Sequence, residues 1–245
     1  MKNKIEIIHQ DKDVIIINKS SSVQTFCYEY GKQNNLLTLA EFLQKKLNCK
    51  IYPIYSIDRD ASGIVVFAKS KNAIDFLRTQ FENYQICKDY IILLSGVLEQ
   101  ESGIINDSIL VSDGQSVISA KGKKAVTEFN VLEKFKTYTL VHAKSLTTAK
   151  NQVRIHFWRI GHPLAIDKEY STTEPLLLSS LKRNYKQKPI LEKPLISRLT
   201  LHLRNITLKL PGSNDKKTFT APLPKDFEVT IKQLRKYAKN FVRSL

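Results

Sequence analysis

The carboxylate of Asp58 lies close to a Ser-Gly pair, shortly before an apolar run that predicts a buried strand. Residues 55–63 read YSIDRDASG, and residues 64–68 read IVVFA. The small residues and Gly63 predict a turn, and the β-branched, aromatic run predicts the strand. A carboxylate at a strand entrance can be held rigidly while it faces a cleft, where it can act as a base or a nucleophile. Taken alone, the segment favours a plainer role, in which Asp58 caps backbone amides of the turn.

Hydrophobic spacing predicts the elements that would position this turn. Helical spacing is found at 38–47, with Thr38 as the predicted cap and Phe42 facing inward, and also at 72–83, 152–160 and 225–245. Strands are predicted at 5–8, 14–17, 64–69, 89–98, 126–131 and 138–141, with a strand or hairpin arm at 199–210. Helices and strands interleave without a repeating βαβ unit. The pattern therefore predicts an α+β fold with a mixed, mostly antiparallel sheet flanked by helices.

The chain is strongly basic. Its 245 residues include 39 Lys and Arg against 23 Asp and Glu, a formal net charge of +16 at pH 7. This excess favours a polyanionic partner, nucleic acid first and an acidic membrane second, although a Lys-rich proteome would produce the same bias. Residues 181–198 concentrate Lys and Arg around two prolines. We predict that they form a basic loop that orders on binding a polyanion.

The remaining composition indicates a globular protein of the cytoplasm. With 42% hydrophobic residues, the chain can bury a substantial core. Three widely spaced cysteines, Cys27, Cys49 and Cys87, predict reduced, partly buried thiols and neither a disulfide framework nor a zinc site. The N-terminus has no long apolar region of a signal peptide, and no stretch approaches the ~18 apolar residues of a membrane span. Without disulfide or coiled-coil signals, a monomer is the default expectation.

Residues 55–63 resemble the catalytic motif of the RluA-type pseudouridine synthases, usually His-Arg-Leu-Asp-x-x-Thr-Ser-Gly before a hydrophobic strand. Asp58 falls on the catalytic aspartate of that motif. Tyr55, Ser56 and Ala61 replace the His, Arg and Thr of that motif. In relatives that arginine is thought to hold the flipped-out RNA. Its loss predicts weaker flipping, or a single-stranded or already open substrate.

Two further motifs follow in the expected order. Residues 88–96 are similar to a motif in which Lys-x-Tyr opens a strand; Lys88 and Tyr90 match, and in the family the tyrosine stacks on the target uracil. Residues 147–156 resemble Thr-Gly-Arg-Thr-His-Gln-Ile-Arg-Val-His, with Gln152, Arg154 and His156 matching. In the family, the arginine at Arg154 pairs with the catalytic aspartate and keeps it ionised. We expect His156 to be a satisfied core histidine.

The resemblance extends along nearly the whole chain. Further similar segments lie at 15–19, 160–167, 198–203 and 218–227. In the family an apolar residue of the third of these, here Leu199 or Leu201, packs under the base. In the motif at residues 147–156, Ala149 replaces the first arginine, which implies the loss of an RNA contact. The charge of the neighbouring Lys150 would only partly restore that contact. The resemblance implies a single catalytic domain over 1–245, without the small N-terminal S4-type RNA-binding domain of many relatives.

The resemblance implies isomerisation of uridine to pseudouridine in structured RNA, ribosomal or transfer, with no metal and no other cofactor. It implies Asp58, Tyr90 and Arg154 as the catalytic residues, with Asp58 acting either as nucleophile at C1′ or as base at C2′. The expected substrate contacts are Arg59, Lys88, Lys150, Gln152, Leu199 and Leu201. The departures from the motifs favour an alternative, a catalytically inactive RNA-binding pseudoenzyme of the same fold. A basic membrane-surface protein is poorly supported, because the apolar stripe of the C-terminal helix is better explained as core.

Overall fold

The computed structural model describes residues 6–25, 38–185 and 192–239. The chain forms two compact units. The first comprises Met1–Asp89 and Leu203–Pro222, and the second comprises Tyr90–His202 and Leu223–Leu245. The prediction of one domain over 1–245 stays a prediction. The fold is α+β, as predicted, with four helices among the described residues.

The first unit is built on a buried strand, β4, which holds the Ser-Gly pair. Its elements are β1 (Glu6–Gln10), β2 (Val14–Lys19), α1 (Leu39–Leu47), β3 (Tyr52–Tyr55), β4 (Ser62–Ala68), α2 (Lys71–Glu82), most of β11 (Leu201–Lys209) and β12 (Lys216–Thr220). The strand order is β1-β2-β4-β11-β12, and β3 also pairs with β4. All seven residues of β4 are buried, since strands or helices cover both of its faces. Antiparallel pairing sets Ile17 opposite Val65 in the core of this unit.

The second unit contains the predicted strands at 126–131 and 138–141. Its elements are the larger part of β5 (Cys87–Ser95), β6 (Ser102–Ile105), β7 (Ile109–Ser112), β8 (Gln115–Ile118), β9 (Thr127–Lys134), β10 (Tyr138–Ser145), α3 (Gln152–Arg159) and α4 (Lys225–Tyr237). The strand order is β5-β10-β9-β6, and β7 and β8 make a separate antiparallel hairpin. The amphipathic helix α4 buries Phe227, Ile231 and Leu234 in a cluster with Leu93 and Phe135. Each large apolar side chain buried this way contributes about 1.5–3 kcal/mol.

Local signals for helix α1 are confirmed at its start. Thr38 is the N-cap, and its hydroxyl accepts a hydrogen bond from the backbone N–H of Glu41, whose carboxylate accepts one from the N–H of Thr38. This reciprocal pair satisfies two amides that the helix itself leaves without partners. The inward position predicted for Phe42 is wrong, because its side chain is 39% exposed and Leu43 is the buried residue.

The predicted basic loop at 181–198 lies partly outside the described residues. On its described flanks, Leu181 packs against the core of the second unit, and Ile196 pairs with Leu176 in a short bridge. Arg198 makes a two-point ion pair with Asp226, at 2.7 and 2.9 Å. Ordering of the loop on a polyanion stays a prediction. Cys49 and Cys87 are half-buried as predicted, and Cys27 lies outside the described residues. Across the described ranges, each helix is too short or too polar to cross a bilayer.

Candidate active site

Asp58 lies in the connection between β3 and β4 and is half-buried. Its carbonyl oxygen accepts a hydrogen bond from the N–H of Ala61 at 3.1 Å, which closes a turn centred on Arg59 and Asp60. The sequence predicted the turn at the Ser-Gly pair, and that position is wrong. Ser62 is instead the first residue of β4, so the carboxylate stands four residues before the strand.

Gly63 is required by a neighbouring strand. It lies inside β4 with φ of +117°, and a Cβ atom at this position would lie 2.2 Å from the carbonyl oxygen of Leu203 in β11. Any side chain would therefore collide with backbone, in addition to the cost of its left-handed conformation. The glycine lets β11 approach the start of β4 closely, directly beyond the Asp58 turn.

A buried lysine also holds the Asp58 turn. The ammonium group of Lys19, which is 2% exposed, lies 2.9 Å from the carbonyl oxygens of both Arg59 and Ala61. It also lies 3.1 and 3.0 Å from the carbonyls of Ser20 and Val23. A buried ammonium is stable only when its donors are satisfied, so this group fixes the turn to the end of β2.

Ser21 adds a further constraint on the same turn. Its hydroxyl donates to the carbonyl oxygen of Asp60 at 2.9 Å. Together, Lys19 at the end of β2 and Ser21 just after it donate to three consecutive carbonyls, those of residues 59–61. Sequence reasoning missed both residues, because nothing about a lysine at the end of a strand indicates that its head group is buried.

Tyr55 and Lys88 form a second contact beside the turn. The ring of Tyr55, which replaces the family's histidine, stacks on Phe81 of α2 with centroids 5.1 Å apart and an interplanar angle of 10°. The ammonium of Lys88 lies 5.7 Å from the centroid of the Tyr55 ring. Burial lowers the pKa of Lys88 to about 8. Lys88 is thus placed in the protein interior, and its predicted contact with substrate stays a prediction.

In the second unit, Arg154 of α3 makes a buried ion pair with Asp167. Its Nε and Nη2 atoms donate to the two carboxylate oxygens at 2.7 and 2.6 Å, and the two side chains are 4% and 0% exposed. Nη1 also donates to Asn151, and the guanidinium lies over the ring of Tyr170. Asp167 therefore fixes the plane of the guanidinium. The predicted pairing of Arg154 with Asp58 stays a prediction.

Gln152 supports the loop that precedes α3. Its carbonyl oxygen accepts from the hydroxyl of Thr147 and the N–H of Ala149, and its amide nitrogen donates to Val126 and Thr127. All of these bonds are internal, so the side chain acts as a brace. Its predicted contact with substrate stays a prediction.

His156 is the satisfied core histidine that was expected. It is fully buried between the hydroxyl of Thr127 and the carbonyl of Asp107, at 2.9 and 3.1 Å. Burial lowers its pKa, and the bond to Asp107 opposes that shift. The imidazole is therefore mainly neutral near pH 7, in keeping with a structural role.

The other predicted residues differ in exposure. Tyr90, Leu199 and Leu201 are buried, with 6%, 6% and 3% of their surface exposed. Arg59 is exposed in the turn itself. Lys150 is exposed, and its ammonium donates to the carbonyl of Gly114 in the β7–β8 hairpin. Their contacts with substrate stay predictions.

Comparison with known proteins decides the family. A family model for RNA pseudouridylate synthases matches residues 13–158, a range that holds the Asp58 turn, Lys88-x-Tyr90 and helix α3 up to Trp158. The chain belongs to this family. It is an RNA pseudouridine synthase, an isomerase, and the predicted resemblance is confirmed.

Curated relatives agree over almost the whole chain. The chain is 30% identical over 237 residues to "Ribosomal large subunit pseudouridine synthase C" of Vibrio cholerae, covering 94% of this chain and 69% of the relative. It is 27% identical over 243 residues to "Ribosomal large subunit pseudouridine synthase D" of Blochmanniella floridana, covering 95% and 74%. The solved structure of "Human RNA Pseudouridylate Synthase Domain Containing 4" has a TM-score of 0.70 at 24% identity, covering 94% and 93% of the two chains, and supports the fold.

Proposed function

We propose that this synthase isomerises uridine in ribosomal RNA of the large subunit, with Asp58 as its essential carboxylate. The observation that carries the assignment of Asp58 is the construction of its turn. Lys19 and Ser21 donate hydrogen bonds to the three carbonyls that follow Asp58 in the chain. Gly63, just after the turn, allows the backbone of β11 to approach closely. A turn held this rigidly suits a reaction that depends on positioning. The printed names of the relatives support the choice of RNA.

The reaction breaks the N1–C1′ bond of uridine and forms a C5–C1′ bond, while C5 loses a proton and N1 gains one. The atoms balance without an external reactant. Attack at C1′ and proton removal at C2′ both begin from an ionised carboxylate, so both roles of Asp58 need the same protonation state. In this proposal Tyr90 provides the planar surface for the flipped base, and Arg154 provides the positive charge of the catalytic set. The proposal includes a monomer acting in the cytoplasm.

An Asp58→Asn variant tests the assignment. Ribosomal RNA from a strain lacking the gene, labelled with tritium at C5 of uridine, would be incubated with wild type or the variant, and tritium release to water would be measured. Pseudouridine positions would then be mapped at single-nucleotide resolution. We expect release and a restored site with wild type only, and both also with Asp75→Asn, a control at an exposed position of α2.

Two results would contradict the proposal. Full activity of Asp58→Asn would remove Asp58 from the chemistry. Retained RNA binding by wild type, with no tritium released from any ribosomal RNA tested, would favour the pseudoenzyme alternative.

A further inference from the structure

Trp158 is an exposed aromatic residue on α3 that the catalytic assignment does not use. It is the chain's only tryptophan, and 48% of its surface is exposed. Its ring lies 6.2 Å from the ring of Tyr170, tilted by 48°. Single exposed apolar residues are common on protein surfaces, so exposure alone indicates nothing. Two features of its surroundings suggest a binding role: a fixed aromatic neighbour and nearby positive charge.

The ring beside Trp158 is held rigidly. The hydroxyl of Tyr170 donates to the carbonyl of Ser116 in the β7–β8 hairpin at 3.3 Å and lies 3.4 Å from the amide nitrogen of Asn151. The guanidinium of Arg154, fixed by Asp167, lies 5.2 Å from the Tyr170 ring centroid. Trp158 therefore lies beside an aromatic ring that is fixed in place. A fixed neighbouring ring lowers the entropy lost when a planar ligand stacks on this pair.

The charge around this pair is positive. Arg159 follows Trp158 directly, Lys168 lies two residues before Tyr170, and Lys150 bonds to the hairpin. The backbone of Lys123 pairs with Ile109, whose side chain shares an apolar cluster with Tyr170. The exposed cations of this region are Lys121, Lys123, Lys124, Lys150, Arg159 and Lys168. Of the nearby exposed acids, Glu169 is bonded to Arg154 and Asn151, and Asp113 lies in the hairpin turn.

We propose that Trp158 and Tyr170, together with exposed cations of the same unit, form an RNA-binding surface on which an unpaired base next to the modified segment stacks on Trp158. Exposed aromatic rings set among basic side chains are how proteins bind single strands without reading their sequence. Such a surface suits the open or single-stranded substrate that the loss of arginine at Ser56 predicts. The inference rests on the proposed function, because it requires that the substrate is RNA.

Because Trp158 is the only tryptophan, its fluorescence reports on this surface directly. A fluorescein-labelled ribosomal RNA fragment containing the modified site would first be bound to the full chain and followed by anisotropy. The unlabelled fragment would then be titrated while tryptophan emission is recorded. We expect emission to be quenched along the same binding curve. Trp158→Ala should weaken binding about 5- to 10-fold, the lower part of the range for one stacked base.

Leu132→Ala provides the matched control, since Leu132 is an exposed apolar residue of the same unit, 53% exposed on β9. Its affinity should equal that of wild type. Replacing Lys121, Lys123 and Lys124 together by Gln should reduce the slope of log affinity against log salt by about 2, at ~0.7 for each cation near a single strand.

The outcomes separate this inference from the proposed function. If RNA binds and is modified, while emission stays constant or Trp158→Ala binds as well as wild type, the surface is not an RNA site and the enzyme assignment stands. If the labelled RNA fails to bind even at low salt, both proposals fall.

Discussion

Replacing Lys19 by Met tests whether the buried ammonium positions the Asp58 turn. The methionine side chain has a similar length but no donor. Lys19 has three N–H donors shared among four carbonyls, at 2.9 to 3.1 Å. At about 1–1.5 kcal/mol for each donor, the loss is about 3–4.5 kcal/mol, partly offset because the variant no longer buries a charge. We expect a net loss of about 3 kcal/mol in the free energy of unfolding, or roughly 6–12 °C in Tm for a chain of this length.

The same variant should lose activity beyond its loss of stability. Without Lys19, the carbonyls of Arg59 and Ala61 lose the donor that holds the turn in place. A displacement of about 1 Å at a catalytic group costs on the order of 100-fold in rate. Single-turnover pseudouridine formation would be measured at a temperature where circular dichroism shows the variant fully folded. Lys12→Met, at an exposed lysine of the β1–β2 turn, is the control and should behave as wild type. A Lys19→Met protein that melts within about 2 °C of wild type, or that is destabilised but equally fast, would refute the reasoning.

Three further predictions concern single residues. The pKa of Lys88 is lowered from 10.5 to about 8 in the folded protein. Between these pH values the unfolded chain therefore binds more protons than the folded chain. The free energy of unfolding should rise by about 3 kcal/mol from pH 8 to 10.5. Urea unfolding across this range should show that rise in wild type relative to Lys88→Met; parallel curves would contradict it. Asp167→Asn removes the fully buried carboxylate that pairs with Arg154 at two points, and it should cost about 3–5 kcal/mol in urea unfolding. Glu169→Gln should cost less than about 1 kcal/mol, because its side chain is 45% exposed. Gly63→Ala should lower Tm far more than Gly212→Ala, because both have positive φ but only the first brings a Cβ within 2.2 Å of backbone; equal melting temperatures would disprove the close approach.

Local patterns in the sequence were sufficient for much of the fold. The run of β-branched residues at 14–17 and 64–68 predicted β2 and β4, because a strand covered on both faces must be apolar at every position. The Thr38 cap follows from interactions within one helical turn, and hydrophobic spacing over residues 152–160 predicted α3. Short strands such as β3 and β6 were missed, since four residues carry too little periodicity to be recognised. The order of the motifs was sufficient to indicate the family.

What the tertiary structure decided involves residues far apart in the chain. Gly63 has its close neighbour in Leu203, and Lys19 has its acceptors in Arg59 and Ala61, and neither relation leaves a periodic trace in the sequence. A lysine is ordinarily solvated, because burying an ammonium is costly unless the fold brings several acceptors to it. The sequence therefore determined which residue types stand at the site, whereas the long-range packing of strands determined which of them hold the Asp58 turn in place.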